Sequence, residues 1–136
     1  MFKHFISCLT TKYARFSGRA SRSEYCGYMI VYLIIKAVSA LIESLNIGVI
    51  NIVSIILGVL LIMPTTSIIS RRLHDIGYSS WWFFAPLFFS LVLILLGGGV
   101  IGGAGILIAC VLFFIMLGLM FTKGNKEENK YGLPPE

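Results

Sequence analysis

The chain has 136 residues, a formal net charge of +5 and a hydrophobic content of 57%. Charged residues make up 12% of the chain, which is too few to cover the exterior of a soluble domain of this length. The composition therefore excludes an ordinary soluble domain. It predicts one domain, residues 1–136, whose solvent is mostly lipid.

The three cysteines, Cys8, Cys26 and Cys110, lie far apart in the sequence and show no CxxC spacing. An odd set of this kind indicates neither a disulfide framework nor a zinc site, so we expect reduced and mostly buried thiols, with no metal and no cofactor. Lys3 and Lys12 interrupt the apolar N-terminus and no small-residue cleavage site follows. We therefore expect no cleavable signal.

Residues 1–17 have the pattern of an amphipathic helix, because apolar side chains recur at helical spacing and most polar ones lie off that stripe. We expect this helix to lie in the membrane interface and to end at Ser17-Gly18. Ser21 and Glu24 then have the spacing of a capping box, in which Ser21 caps the next helix and Glu24 reciprocates. The apolar stripe consists of Phe2, Phe5, Ile6, Leu9, Tyr13 and Phe16.

Four apolar runs follow, at about 25–45, 47–69, 81–96 and 100–121. A helix needs about 20 apolar residues to cross the hydrocarbon core, and backbone groups in lipid must be paired within the segment. The predicted fold class is therefore all-α: an integral membrane four-helix bundle preceded by an amphipathic interfacial helix.

The connections between these runs differ in charge. The turn at 46–51 and the glycine-rich segment at 97–105 carry no charged side chain, whereas RRLHDIGYSS at 71–80 is dense in charge. All lysines and arginines except Lys36 lie in the N-terminal segment, in this charged connection or in the tail, 122–136. The positive-inside rule then places both termini and the charged connection in the cytoplasm. The polar tail should be short and mobile.

The charged connection contains the first candidate site. Arg71 and Arg72 could bind an anionic phosphate. Asp75 could orient the imidazole of His74, although neighbouring residues of a helix point in different directions and need not touch. Asp75 could pair with an arginine or cap a helix. Three alternatives stay open: a structural network of the connection, a site for an anionic ligand or lipid headgroup, and catalysis through His74.

Arginines of the N-terminal segment extend this site. Arg15, Arg19 and Arg22 should lie at the same membrane face as the charged connection, where a cluster of arginines attracts anionic lipid headgroups. The alternative is that these arginines only set the topology. We expect no nucleic-acid partner, because membrane orientation already accounts for the positive charge.

Lys36 and Glu43 form a separate pair of candidates. They are seven residues apart and so share one face of the first span, with Lys36 close to the middle of the bilayer. A charge at that depth is costly, by at least about 2.5 kcal/mol, and usually faces protein or water. The pair could mark a pore or the interior of the bundle, or Lys36 could extend its amine toward the interface.

Three motifs resemble, in order, the signatures of a bacterial inner-membrane family known as domain of unknown function 805. They are SGRASRSEY at 17–25, RRLHDIGYSSWW at 71–82 and GNKEENKYGLPP at 124–135. The sequence departs from the family pattern at Cys26, where an aromatic residue is usual, and at Ser80, where glycine is common. The resemblance implies a multi-pass protein of the bacterial inner membrane and implies no activity.

Because the three motifs share one face, we expect a polar network there, in which Glu24 or Asp75 pairs with an arginine and Asn129 and Tyr131 take part. The leading hypothesis is a small protein that is not an enzyme and binds anionic lipid or a partner protein through this face. The partner protein could be a membrane protein or another copy of this chain. The alternative is an oligomeric channel or transporter component that uses Lys36 and Glu43. The residues expected to bind the anionic ligand are Arg19, Arg22, Arg71, Arg72 and His74.

Overall fold

The computed structural model describes residues 2–45, 48–96 and 100–135. Within these residues the chain is helical, and the regular elements in chain order are α1 (Phe2–Leu9), α2 (Arg22–Glu43), α3 (Gly48–Asp75), α4 (Trp81–Leu96) and α5 (Val100–Phe121). The predicted turn at 46–51 and the first part of the predicted connection at 97–105 fall partly outside the described residues. Residues 48–51 and 100–105 are helical, as the first turns of α3 and α5.

The helix predicted for residues 1–17 is shorter in the structure, because it ends at Leu9. The hydroxyls of Thr10 and Thr11 bond back to the carbonyls of Ile6 and Ser7, at 2.9 and 3.1 Å, and the chain turns out of the helix. Further on, the Ser67 hydroxyl of α3 donates to the Arg15 carbonyl at 2.6 Å. This contact fixes the segment after α1 against α3.

The start of α2 confirms half of the predicted capping box. The Ser21 hydroxyl accepts a hydrogen bond from the Glu24 amide at 3.2 Å, so Ser21 is the N-cap. The Glu24 side chain does not reciprocate: its carboxylate bonds to Lys12 and Arg71 instead. A carboxylate gains more from two charged donors than from one backbone amide.

The second helix of the bundle, α3, is longer than the predicted span of 47–69 because it includes the sequence RRLHD. Its 28 residues extend about 42 Å, which exceeds the hydrocarbon thickness of about 30 Å. The charged residues therefore form the last turns of a helix, and the connection to α4 is only residues 76–80. Basic side chains are favourable there, since the C-terminal end of a helix carries partial negative charge.

Three helices of the described chain are long and apolar enough to cross a membrane: Arg22–Glu43, Gly48–Asp75 and Gly103–Phe121. The fourth apolar helix, α4, has 16 residues and reaches only about 24 Å. It packs against α5 as a helical hairpin. Large apolar side chains cover the outer surfaces of these helices, as a lipid environment requires. The chain therefore has the composition and architecture of a helical membrane protein.

The buried core lies toward one end of the bundle, where α1 packs across α2 and α3. Phe5 of α1 stacks on Tyr28 of α2 with ring centroids 5.2 Å apart. Leu73 of α3 and Met120 of α5 belong to the same core. We call this end, formed by residues 10–24, 70–80 and 120–133, the polar end, because the charged segments of the chain meet there.

Two further expectations are corrected by the structure. Cys8 is buried and Cys26 is half-buried, but Cys110 is exposed on the surface of α5, so the thiols are not uniformly buried. The tail, predicted to be mobile, folds back on the polar end: the Asn125 amide donates to the Asp75 carbonyl at 2.9 Å. A bridge between Asn129 and Gly132 closes a turn in it. The tail has no apolar pattern that would predict docking, because most of its contacts are hydrogen bonds that involve backbone carbonyls.

Candidate functional site

The polar end is organised by two buried carboxylates, and Asp75 is the first of them. Its Oδ1 lies 2.9 Å from Nη2 of Arg19, and its Oδ2 accepts a hydrogen bond from Nη1 of Arg72. Asp75 and Arg72 lie on the same turn of α3, whereas Arg19 comes from the segment before α2. One carboxylate thus pairs with two guanidinium groups from different parts of the chain.

The remaining donors of Arg19 hold the tail in place. Its Nη1 donates to the carbonyl of Glu127 at 2.8 Å and to that of Gly132 at 3.2 Å, and its Nη2 donates to the carbonyl of Asn125. A guanidinium has five N–H donors in a planar fork, and here the fork binds the backbone of a folded tail. Arg19 is therefore a structural link between the N-terminal segment, α3 and the tail.

Arg72 closes the C-terminal end of α5. Its Nε donates to the Met120 carbonyl at 3.0 Å and its Nη2 to the Thr122 carbonyl, while its Nη1 also reaches the Ala20 carbonyl at 3.3 Å. The last carbonyls of a helix lack partners within the helix, and a cation there is favourable. This contact fastens the α4–α5 hairpin to α3.

Glu24 is the second buried carboxylate. Its Oε1 accepts from Nζ of Lys12 at 2.9 Å and from Nη1 of Arg71 at 2.8 Å. Arg71 also approaches Sγ of Cys8 at 3.5 Å. The Nε of Arg71 is buried and has no hydrogen-bond partner in the described chain. Burying such a donor without an acceptor costs free energy.

His74 is engaged on every side. Its Nδ1 lies 3.1 Å from the Gly18 carbonyl, which can only accept, so Nδ1 carries the proton. Its Nε2 lies 3.0 Å from the Ser80 hydroxyl, which donates to it. Tyr131 of the tail stacks on the imidazole with centroids 3.8 Å apart, and Asn129 donates to the His74 carbonyl at 2.9 Å. Both ring nitrogens are therefore occupied by the protein.

The structure brings most of the predicted site residues together at the polar end, but some of them are buried in the fold and others are exposed. Arg19, Arg71 and Arg72 are buried and mainly bond to carboxylates and carbonyls, so they do not form an open surface of arginines. Arg22 is exposed and donates to the Phe121 carbonyl at 3.4 Å. Arg15 is exposed as well.

Lys36 and Glu43 lie apart from this site. Lys36 is half-buried near the middle of α2, and Glu43 is the exposed last residue of that helix. Among the described residues, the ion pairs join other side chains, all at the polar end. The structure therefore does not bring Lys36 and Glu43 into contact.

A cavity of about 120 Å³ opens at the polar end between the segment after α1 and the end of α3. Cationic side chains line much of its wall. The lining residues are Lys12, Arg15, Ser17, Gly18, Arg19 and Arg71. A larger cleft of about 270 Å³ lies within the tail itself, along residues 125–129. The described residues contain no cluster of three histidine, cysteine or acidic side chains that could hold a metal ion.

Several contributors to the site are not evident from the sequence. Ser67 and Ser70 of α3 are fully buried and bond to the Arg15 carbonyl and to Ser80, respectively. Gly124 has no room for a side chain, because a Cβ there would lie 2.6 Å from Cγ of Asp75. A serine in a run of threonines and isoleucines carries little signal, and a glycine in a polar tail carries less.

Comparison with known proteins identifies the family. The family model described as "Protein of unknown function (DUF805)" matches residues 13–133. The chain belongs to this family. Neither the curated proteins nor the solved structures give a match to the chain.

The three motifs of the DUF805 pattern meet in this structure. Arg19 of the first motif forms an ion pair with Asp75 of the second. Arg19 also donates to the Glu127 carbonyl of the third motif. Asn129 of the third motif donates to the His74 carbonyl of the second. The Ser80 hydroxyl of the second motif bonds to the imidazole of His74. In this chain the second motif is therefore the centre to which the other two are bound.

Proposed function

We propose that this DUF805 protein is a multi-pass protein of the bacterial inner membrane that binds anionic lipid at its cytoplasmic face and catalyses no reaction. The polar end would be that face, because its three segments contain every lysine and arginine of the chain except Lys3 and Lys36. Positive charge marks the cytoplasmic side of membrane proteins.

The observation that carries this proposal is an excess of positive charge at the polar end. Two carboxylates, Glu24 and Asp75, are the anionic partners in the ion pairs found there. The tail adds two more carboxylates to the polar end, Glu127 and Glu128. The cationic side chains of the polar end are more numerous than these four carboxylates. They are Lys12, Arg15, Arg19, Arg22, Arg71, Arg72, Lys123, Lys126 and Lys130. The part of this charge that the carboxylates do not balance would attract lipid headgroups, with a contribution of about 1 kcal/mol for each basic residue near the surface.

The residues of this face divide into two groups by exposure. Arg19, Arg71 and Arg72 are buried and stabilise the fold. Their guanidinium groups therefore contribute positive potential at the surface without contacting lipid. Arg15 and Arg22 are exposed, and we expect their side chains to reach lipid directly. The exposed pair is therefore the better target for separating binding from stability.

The contacts of His74 favour a role without catalysis. A general acid or base must reach its substrate within hydrogen-bonding distance, and both ring nitrogens of His74 already bond to Gly18 and Ser80. The alternative of an oligomeric channel that uses Lys36 and Glu43 stays a prediction, because no contact in the described structure favours it.

Lipid selectivity can be measured in bilayers through the tryptophans. Trp81 and Trp82 are exposed at the start of α4, at the polar end, so brominated lipids that bind beside them will quench their fluorescence. We expect anionic lipid to bind several-fold more strongly than zwitterionic lipid, since each basic residue contributes about 1 kcal/mol. The preference should weaken as salt increases, because the Debye length is about 10 Å at 0.1 M.

The matched variants keep or remove charge at the exposed pair. Arg15→Gln with Arg22→Gln should reduce the preference, whereas Arg15→Lys with Arg22→Lys should keep most of it. Equal quenching by anionic and zwitterionic lipid at low salt would contradict the proposal and would favour a protein partner at this face.

A further inference from the structure

We propose that the cavity lined by Lys12, Arg15, Ser17–Gly18, Arg19 and Arg71 is a binding site for one phosphate dianion, either free or as a phosphomonoester headgroup. This inference rests on the proposed function, which requires only a general preference for anionic lipid, and adds a single site with defined chemistry. The cavity holds about 120 Å³ and is open to the surface. A tetrahedral oxyanion with some of its water fits this space.

The charge around the cavity favours a dianion. The two carboxylates that pair with its cations, Glu24 and Asp75, do not line it. The wall has four cations, which exceed these two carboxylates by two positive charges. Asp75 also pairs with Arg72, so it does not neutralise Arg19 alone. A phosphate monoester carries about −1.5 to −2 at neutral pH, whereas a phosphodiester headgroup carries one negative charge. The monoester matches the local excess more closely.

Arg71 supplies the observation that points to a ligand. Its residue is 2% exposed, and its Nε has no hydrogen-bond acceptor in the described chain. Its other two nitrogens contact Glu24 and Cys8. A buried guanidinium donor is rarely left unpaired, and Arg71 forms part of the cavity wall. This nitrogen is covered in the structure, so a rotation of the guanidinium toward the cavity would let an oxyanion oxygen there accept from it.

The loop at 17–18 offers further donors. Within the described chain, the amides of Ser17 and Gly18 donate no hydrogen bond to the protein. Gly18 has a φ of +88°, which residues other than glycine rarely adopt. The hydroxyl of Ser17, the exposed guanidinium of Arg15 and the amine of Lys12 complete a wall made of donors. Guanidinium and backbone donors of this kind are typical of phosphate sites.

The site can be tested by calorimetry on the full-length protein in a neutral detergent near neutral pH. The probes are inorganic phosphate, a short-chain phosphatidic acid, which is a monoester, and a short-chain phosphatidylglycerol, which is a diester. We expect one molecule of a monoester probe or of inorganic phosphate to bind to each chain. The diester should bind at least about tenfold more weakly, because it carries about one charge less.

The variants avoid the buried network. Ser17→Glu adds a carboxylate to the cavity wall at an exposed position and should weaken binding by about tenfold or more through repulsion. Ser23→Glu adds the same charge at an exposed position that does not line the cavity and should bind nearly as the unmodified protein does. Arg15→Gln removes one wall cation that has no carboxylate partner in the described chain and should weaken binding as well.

Each outcome has a definite meaning. Binding of both inorganic phosphate and phosphatidic acid in competition supports a phosphate site that accepts either source. Binding of phosphate alone identifies a soluble anion, and binding of phosphatidic acid alone identifies a headgroup. No saturable binding of either, or equal binding by Ser17→Glu, overturns the site. In that case a preference for anionic bilayers that survives Ser17→Glu would leave the proposed function standing.

Discussion

Arg19 and Asp75 form a buried ion pair across 56 positions of sequence, with Nη2 of Arg19 2.9 Å from Oδ1 of Asp75. Their side chains are only 1% and 4% exposed. Arg72 shares the same carboxylate. A single buried carboxylate thus pairs with two guanidinium groups. Arg19 also binds the tail, and Arg72 also binds the end of α5.

Removing the charge of Asp75 should therefore destabilise the protein strongly. Asp75→Asn leaves two buried guanidinium groups without their carboxylate, and loss of one partner of a buried pair costs roughly 3–5 kcal/mol. The free energy of unfolding can be measured by reversible denaturation in mixed micelles. Glu43→Gln, the same change at an exposed helix end, should cost less than about 0.5 kcal/mol. Similar values for the two variants would show that Asp75 is not the centre of the network.

Gly124→Ala should detach the tail. The new methyl group would overlap the Asp75 carboxylate, whose Cγ would lie 2.6 Å from it, and this carboxylate is held by Arg19 and Arg72. Overpacking of this kind costs about 1–3 kcal/mol. Trypsin should then cleave the tail faster at Lys126 and Lys130. Gly118→Ala, on α5 where a Cβ meets nothing within 4 Å, should leave the cleavage rate unchanged; equal rates in the two variants would contradict the docked tail.

The stack of Tyr131 on His74 predicts a difference between two substitutions. Tyr131→Ala removes a stacked ring pair with centroids 3.8 Å apart and planes inclined by 7°, which should cost about 0.5–1.5 kcal/mol beyond the buried area. Tyr131→Phe keeps the ring and should cost much less. Hydrogen exchange of the amides of residues 125–132 reports the opening of the tail. If Phe and Ala increase exchange equally, the stack does not hold the tail.

Burial raises the pKa of the Cys8 thiol above its usual value, although the neighbouring Arg71 guanidinium lowers it in part. The folded protein therefore favours the protonated thiol. Its stabilising contribution is complete below the ordinary thiol pKa of 9.0 and is lost as pH rises through the higher folded value. With Cys26→Ser and Cys110→Ser in place, maleimide should label Cys8 about tenfold more slowly in the folded than in the denatured protein, because exposure requires local opening.

The labelling rate also provides the contradicting result. A folded rate equal to the denatured rate at neutral pH would mean that Cys8 is accessible and that α1 does not pack on α2 and α3. Above pH 9.0, the free energy of unfolding should fall with pH partly because of the Cys8 thiol. In the same background, Cys8→Ala should remove this part of the fall.

The apolar runs predict the helices well, because length and hydropathy decide whether a segment can be helical in lipid. The charged sequence RRLHD was predicted to be a connection, yet it forms the last turns of α3. Charge alone does not break a helix, and the carboxylate of Asp75 is in place to pair with Arg72 three residues earlier. The apolar pattern ends before this point, so periodicity gives no boundary there.

The partners within the polar end could not be predicted with the same certainty. The family motifs indicate which residues meet, but whether Glu24 bonds to its own helix start or to Arg71 depends on where α3 lies relative to α2. The docking of the tail depends on carbonyls of Asn125 and Glu127 reaching Arg19, and backbone carbonyls leave no trace in the sequence. The sequence also does not show why residue 124 is glycine, because the reason is its close contact with Asp75 in the folded chain.

If the polar end binds anionic lipid, as proposed, lipid should stay bound when the protein leaves the membrane. Native mass spectrometry of the protein released gently from its own membrane measures subunit number and retained lipid together. We predict a monomer or dimer that carries anionic phospholipid. A fixed larger ring without bound lipid would contradict this account and would support the channel that uses Lys36 and Glu43.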